Sequence, residues 1–238
     1  MIQGQCNINR YILVLVVCVL FPIRSSFASN NVTLGLITKI IREVTKRTAL
    51  IDWKSASKGE TLLSGDQVRT GQRSLAVIKF RDNSMVRVRE QSLLTVNGEV
   101  SPKGLIKKVQ LSKGSFGFHM KKQPDDEQFQ LTSPTSVASI RGTLGKLSGA
   151  EGNDTLIVAE GLVNFKNTVS SKDLDVNAGY IAFSNQDGSI SSRQATEQEL
   201  ADAQAAATGG ATNELNLDMQ DSQGNKKELK IRYKQEEK

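Results

Sequence analysis

The sequence predicts an all-β fold, a two-sheet sandwich of jelly-roll type or a short β-solenoid, closed by a short C-terminal helix and a tail hairpin. Three observations carry that prediction. Residues 34–190 form a series of short segments in which apolar and polar residues alternate, split by glycine, asparagine and aspartate, and period-two alternation marks strands with one dry face. The pattern apolar-x-apolar-x-x-Gly-x-apolar-x-Phe occurs three times, at residues 109–118, 156–165 and 174–183. No helical stripe interrupts this stretch; the first helix signal is Thr196, three residues before Glu199 and ahead of an alanine-rich run, the spacing of a capping box.

In chain order, residues 1–28 read as a signal peptide. Arg10 precedes an almost unbroken apolar run over 11–21, Pro22 closes it, and Ser26-Phe27-Ala28 places small residues where signal peptidase needs them. Cleavage is expected between Ala28 and Ser29. Eleven apolar residues rise only about 16 Å as a helix, short of a hydrocarbon core of about 30 Å, so no stable membrane anchor is expected after cleavage. Both cysteines, Cys6 and Cys18, leave with this segment, and the mature chain then holds together by packing and hydrogen bonds, without a disulfide.

The domain expected over residues 29–190 has its clearest hairpin at Ala76-Val77-Ile78-Lys79-Phe80 and Met85-Val86-Arg87-Val88-Arg89. Asp82 and Asn83 suit the turn because both tolerate left-handed backbone. In the threefold pattern, two alternating arms meet at a central glycine, Gly114, Gly161 or Gly179. The alternation changes phase there, as a bend, bulge or tight turn requires. Residues 191–212 are expected to hold the helix, ended by Gly209-Gly210, and its linker. Over 213–238, Leu215, Leu217 and Met219 alternate with polar residues, as do Leu229, Ile231 and Tyr233. That is the pattern of a hairpin with its turn within 221–227; a lone hairpin is marginal in water, so this one docks or stays a disordered tail.

Catalytic constellations are scarce. One histidine, His119, and no mature cysteine give no basis for a nucleophilic triad, and His119 reads as the solvent face of a strand. Zinc or iron would need clustered ligands. Asp125-Asp126-Glu127 lacks the spacing of a calcium loop and reads as a solvated turn. No glycine-rich phosphate loop joins a strand to a helix. A carboxylate pair could in principle cleave a glycoside, but aromatic content is 5% and the single tryptophan, Trp53, is expected in the core. The expectation is no enzyme, no cofactor and no metal. The net charge of +6 is spread among acids rather than clustered, which excludes a nucleic-acid footprint.

One set of motifs resembles a known family. Trp53, then Lys58-Gly59-Glu60, then Leu63-Ser64-Gly65-Asp66-Gln67-Val68-Arg69-Thr70-Gly71 is similar to the opening of the FecR-like domain, where a tryptophan precedes a GD-x-apolar-x-T element. Phe80-Arg81-Asp82-Asn83-Ser84 resembles the family's F-x-D-G-S turn, with Asn83 in place of glycine. Thr132-Ser133-Pro134-Thr135-Ser136-Val137-Ala138-Ser139-Ile140-Arg141-Gly142-Thr143 resembles its T-P-x-A-x-x-x-R-G-T signature. Elements around Gly161 and Gly179 follow in order, and the likeness covers about residues 34–185.

The resemblance implies a β-rich domain outside the inner membrane of a Gram-negative-type envelope, relaying a signal from an outer-membrane transporter. Family members carry a cytoplasmic anti-sigma segment before a membrane helix; here ten residues precede the apolar run, so sigma-factor contact is not carried over. The expectation is an exported, periplasmic interaction or signal-relay module with an envelope protein as partner, the alternative being a glycan or peptidoglycan-binding module. Trp53, Gly65, Asp66, Thr70, Pro134, Arg141, Gly142, Thr143, Gly161 and Gly179 are its candidate structural or partner-binding residues. Asp66 is expected to accept amide hydrogen bonds in a turn, and Arg141 to sit at a strand end.

Overall fold

The computed structural model describes residues 33–102, 104–122, 127–210, 212–220 and 226–234. The leader, with Ala28 and Ser29, lies outside the described residues, as do Asp125, Asp126 and residues 221–225 of the tail.

The first half of the chain supplies β1 (Thr33–Ile41), β2 (Val44–Arg47), β3 (Lys54–Ser55), β4 (Thr61–Leu63), β5 (Asp66–Thr70), β6 (Leu75–Phe80), β7 (Met85–Val88), β8 (Leu93–Ser101) and β9 (Gly104–His119). The second supplies β10 (Glu127–Thr132), β11 (Ser136–Ile140), β12 (Leu144–Ala150), β13 (Asn153–Glu160), β14 (Leu162–Asn167), β15 (Asp173–Asn177), β16 (Tyr180–Asn185) and β17 (Ile190–Gln194).

These strands form two layers. One sheet runs in the order β4-β1-β6-β7-β9-β12-β13-β16-β17. The other runs β3-β2-β5-β8-β9-β10-β11-β14-β15. Strand β9 belongs to both: its first part, through Lys113, pairs with β8, and its last part, from Gly114, pairs with β12 and β7. Among the described strands only β9 and β10 pair in parallel. A solenoid would stack parallel coils, so the architecture is the open two-sheet sandwich.

The threefold pattern is the rule by which the chain changes sheet. Gly114 (φ +92°) turns β9 from one layer to the other, Gly161 (φ +88°) joins β13 to β14, and Gly179 (φ +87°) joins β15 to β16. The apolar residues on both arms of the first two repeats, and on the first arm of the third, then face the space between the sheets, where Val109, Phe116, Phe118, Leu156, Val158, Val163, Phe165 and Val176 are buried; Ile181 and Phe183, on the last arm, face outward. Phe129 and Phe80 meet edge to face across this core at 5.0 Å. The hairpin of β6 and β7 forms as expected, with Asn83 left-handed (φ +64°) and the Asn83 N–H donating to the Phe80 carbonyl.

Helix α1 (Glu197–Thr208) opens on the expected capping box: the Thr196 hydroxyl accepts from the Glu199 N–H, and the Glu199 carboxylate accepts from the Thr196 N–H. It ends at Gly209 in left-handed conformation. The helix lies on the outer face of the first sheet across β9, β12 and β13. Ala203, Ala206 and Ala207 are buried there, and Ile157, Ile181 and Ala195 form a second small core with Ala203. The helix carries no basic residue in its last turn; β7 supplies one, since Arg87 Nε donates to the Ala207 carbonyl at 2.9 Å, where a cation complements the helix dipole.

The tail forms a separate two-stranded sheet, β18 (Thr212–Gln220) with β19 (Lys226–Lys234). Its register sets Leu215 opposite Ile231 and Leu217 opposite Leu229, with Glu214 opposite Arg232 as an acid-base position. Asp218 stands opposite Glu228.

Candidate functional site

The candidate residues fall into three groups around the sandwich. The first surrounds a buried lysine. Lys46, which sequence analysis passed over, is 5% exposed on β2, and its ammonium lies 3.0 Å from Asp66, 3.4 Å from Glu60 and 2.6 Å from the Thr61 carbonyl. Asp66 accepts the Leu63 N–H at 2.9 Å, the turn role expected of it, and the same oxygen holds Lys46. Burial works to raise the Glu60 carboxyl, but the Ser57 N–H and the Lys46 and Lys54 charges outweigh it and leave the group below the ordinary carboxylate range. Gly65 (φ +89°) makes the corner between β4 and β5. Thr70 donates to the Arg89 carbonyl and accepts the Ser92 N–H, tying β5 to the β7–β8 connection.

Trp53 corrects an expectation. It is half-buried rather than in the core, because it lies in the bend before β3, a two-residue edge strand outside the buried core cluster. The Arg69 guanidinium covers its ring at 4.3 Å from the centroid, a cation–π contact.

The second group is the Pro134 segment. Asp154, 1% exposed on β13, accepts the Thr135 N–H at 2.9 Å and the hydroxyls of Ser133 and Thr135. Thr135 also donates to the Ser184 carbonyl, and Ser184 to the Thr135 carbonyl. A buried carboxylate thus pins the signature segment to the first sheet. The signal for it, one aspartate in an otherwise apolar stretch after Gly152-Asn153, has no period to distinguish it from a turn residue.

The third group closes the opposite end. Arg141 is exposed, Gly142 is left-handed (φ +66°), and Thr143 is buried, its carbonyl accepting the Met120 N–H. A Cβ at Gly161 would sit 2.6 Å from the Thr143 methyl, so Gly142, Thr143 and Gly161 are brought together. The Ala178 N–H donates to the Gly161 carbonyl and the Gly179 N–H to that of Val158, which adds the Gly179 corner. Pro134 lies in a different group.

His119 is half-buried rather than on a solvent face, because β9 runs beneath α1. Burial first, then the charges of Lys121 and Arg87, hold it below its ordinary value against an opposing pull from Glu160. Asp82 of the F-x-D-N-S turn faces Lys107, which is 1% exposed, at 3.1 Å. Among the described residues, no group of three or more His, Cys, Asp or Glu could hold a metal, and no helix is long and apolar enough to cross a membrane.

Gly65, Gly142, Gly161 and Gly179 thus sit, all left-handed, at corners of an open-edged β-sandwich. Residues 66–164 match the family described as FecR protein. No curated protein matches the chain by sequence. Two crystal structures of a candidate anti-sigma factor from Parabacteroides distasonis are similar at 12% identity and a TM-score of 0.48. The likeness covers 56% of this chain and 61% of that one, under two thirds of its length.

Proposed function

We propose that this chain is a non-catalytic signal-relay module of the cell envelope that holds a protein partner by strand addition along β17. The match of residues 66–164 to the FecR family supports a regulatory role, and the leader-like residues 1–28 support export to the periplasm. The observation that carries the mode of binding is the edge of the first sheet. Among the described strands β17 pairs with β16 alone. The Ala195 N–H donates to Gly179 and the Asn185 N–H to Ser189. Since hydrogen-bonded and non-bonded pairs alternate in an antiparallel ladder, the backbone groups of Ile190, Ser192 and Gln194 point away from β16. Ser191 and Ser192 are exposed and uncharged, and the neighbouring Arg193 is engaged by Glu199, whereas β15, one edge of the other sheet, carries Asp173 and Asp175, charges that blunt an edge. An extended segment of a partner adds to β17 through main-chain bonds.

Ser192→Pro removes one outward N–H without breaking a bond to β16. Recovery of a protein partner from envelope extract by the wild-type protein, and its loss with Ser192→Pro at unchanged melting temperature, is the expected result. A partner retained by the variant, or none recovered by the wild type, defeats the proposal.

A further inference from the structure

We propose a second site, independent of the β17 edge: a pocket for a multiply charged oxyanion where the β1–β2, β5–β6 and β7–β8 connections meet. A cavity of about 450 Å³ there is lined by Arg42, Arg73 and Arg89, with Ser74, Glu90 and the apolar Ile41 and Leu75. Three arginines reach its wall from three separate connections, and planar guanidinium forks match the geometry of phosphoryl and carboxylate groups.

The connections are fixed to one another before any ligand arrives. The Gly71 N–H donates to the Glu43 carbonyl and the Gln91 N–H to the Gly71 carbonyl. The Glu43 N–H donates to Ser74 Oγ, which donates to the Gln72 carbonyl. The Arg73 N–H donates to the Glu90 carboxylate at 2.6 Å. Arg89 is held on both sides, its N–H on the Ser115 carbonyl and its carbonyl under the Thr70 hydroxyl. The acids at this corner are Glu90, on the pocket wall, and Glu43, which packs against Gly71; three cations against these two leave the corner positive.

The backbone gives an independent reason. Arg42 (φ +58°) and Arg73 (φ +50°) are both left-handed, a conformation that glycine or asparagine adopts at less cost. The turns alone would be better served by either residue, so the arginines are there for their side chains.

The test uses the purified protein, with inorganic phosphate and succinate as separate probes against sodium chloride at matched ionic strength, because screening alone shifts surface electrostatics. Calorimetry is expected to show saturable binding of at least one probe. In Arg42→Asn/Arg73→Asn the affinity falls by at least about tenfold, from the loss of charge-assisted hydrogen bonds, while the melting temperature without probe is unchanged or higher. Binding of phosphate alone assigns a phosphoryl ligand, of succinate alone a carboxylate, and of both either source. Should the double variant fold poorly, arginine Nε–H resonances of the wild-type protein provide the second reading: probe-dependent shifts at Arg42, Arg73 and Arg89 support the site. Shifts confined to other arginines, equal binding by the variant, or no binding beyond the chloride control overturns it.

Discussion

Adding one methyl group at Gly117 measures how firmly α1 is seated on the sandwich. A Cβ there would lie 2.1 Å from the Ala206 carbonyl carbon, 2.2 Å from its oxygen and 2.4 Å from the Ala207 nitrogen. These are helix backbone atoms, which cannot swing aside as a flexible side chain can. Gly117 is not among the left-handed glycines, so Gly117→Ala carries no conformational penalty and its cost is steric. Two responses bound that cost. Sheet and helix can separate by about 1 Å to restore ordinary contact, an overpacking cost of about 1–3 kcal/mol. Or α1 detaches and uncovers Ile157 and Ile181, now 7% and 3% exposed, at about 1.5–3 kcal/mol each, with loss of the Arg87–Ala207 hydrogen bond besides. The cheaper response wins, so a destabilisation of about 2 kcal/mol is expected, together with faster amide exchange in α1 than in β11 or β14. Gly179→Ala is the control: nothing lies within 4 Å of its Cβ, but its φ is +87°, so it costs about 1 kcal/mol of backbone strain and leaves exchange in α1 unaltered. Urea unfolding and hydrogen-exchange mass spectrometry read both quantities. If Gly117→Ala exchanges through α1 at the wild-type rate and loses no more stability than the control, the helix is not packed on β9 as described.

Three further outcomes follow, two from buried charged groups and one from the helix cap. Asp154→Ala strands the Thr135 N–H while the Ser133 and Thr135 hydroxyls keep other acceptors at Ser136 and Ser184, so a loss of about 2–4 kcal/mol is expected, with Asp154→Asn losing about half; a urea midpoint unchanged in both would remove Asp154 as the anchor. Lys107→Met leaves the Asp82 carboxylate, 10% exposed, unpaired and costs about 3–5 kcal/mol, whereas Lys107→Met/Asp82→Asn costs less than Lys107→Met alone; additive losses in the cycle would show that the two do not interact. The side-chain hydrogen bond from Arg193 first, then the Thr196 N–H, lower Glu199 from 4.5 to about 2. A depressed folded value means that its contribution to the helix cap is complete above about pH 4.5 and is lost as pH falls toward 2. A carboxyl NMR titration of Glu199 with its midpoint near 4.5 would contradict the capping geometry.

Much of the fold was legible because sheet and turn chemistry are local. The alternation in Val163, Asn164, Phe165 and Lys166 marked a strand with one wet face, and the Gly in each repeat marked the corner. What those corners joined was not legible: the repeat looks alike whether glycine bends one strand, as at Gly114, or joins two, as at Gly161 and Gly179. The seat of α1 left a sign that a search for alternation passes over. Leu156, Ile157 and Val158 are consecutive and all buried, and a continuous apolar run means cover on both faces. Trp53 was not legible as a surface residue because a large apolar ring argues for a core, whereas it precedes a two-residue edge strand and is covered by Arg69. Lys46, Lys107 and Asp154 were out of reach, since a buried charge is defined by a partner distant in sequence, 20 residues away for Lys46 and 25 for Lys107.

The same layering decides where a partner can bind. The inner faces of both sheets are consumed by the core, and part of the outer face of the first is consumed by α1. The outer face of the second sheet presents Gln67, Arg69, Gln110, Gln130, Ser139 and Lys166, separated polar groups at the spacing of the strands. Tight recognition needs either a line of unsatisfied backbone groups or charges gathered at a fixed distance. A sandwich offers the first only at its sheet edges and the second only where several connections meet. Edge β17, one of the sheet edges beside β3, β4 and β15, and the arginine corner of 42, 73 and 89 are two such places, and each is built on backbone already fixed by its neighbours, by β16 in one case and by the Glu43, Gly71 and Ser74 hydrogen bonds in the other. Binding at either therefore orders little new chain, which keeps more of the contact energy for affinity.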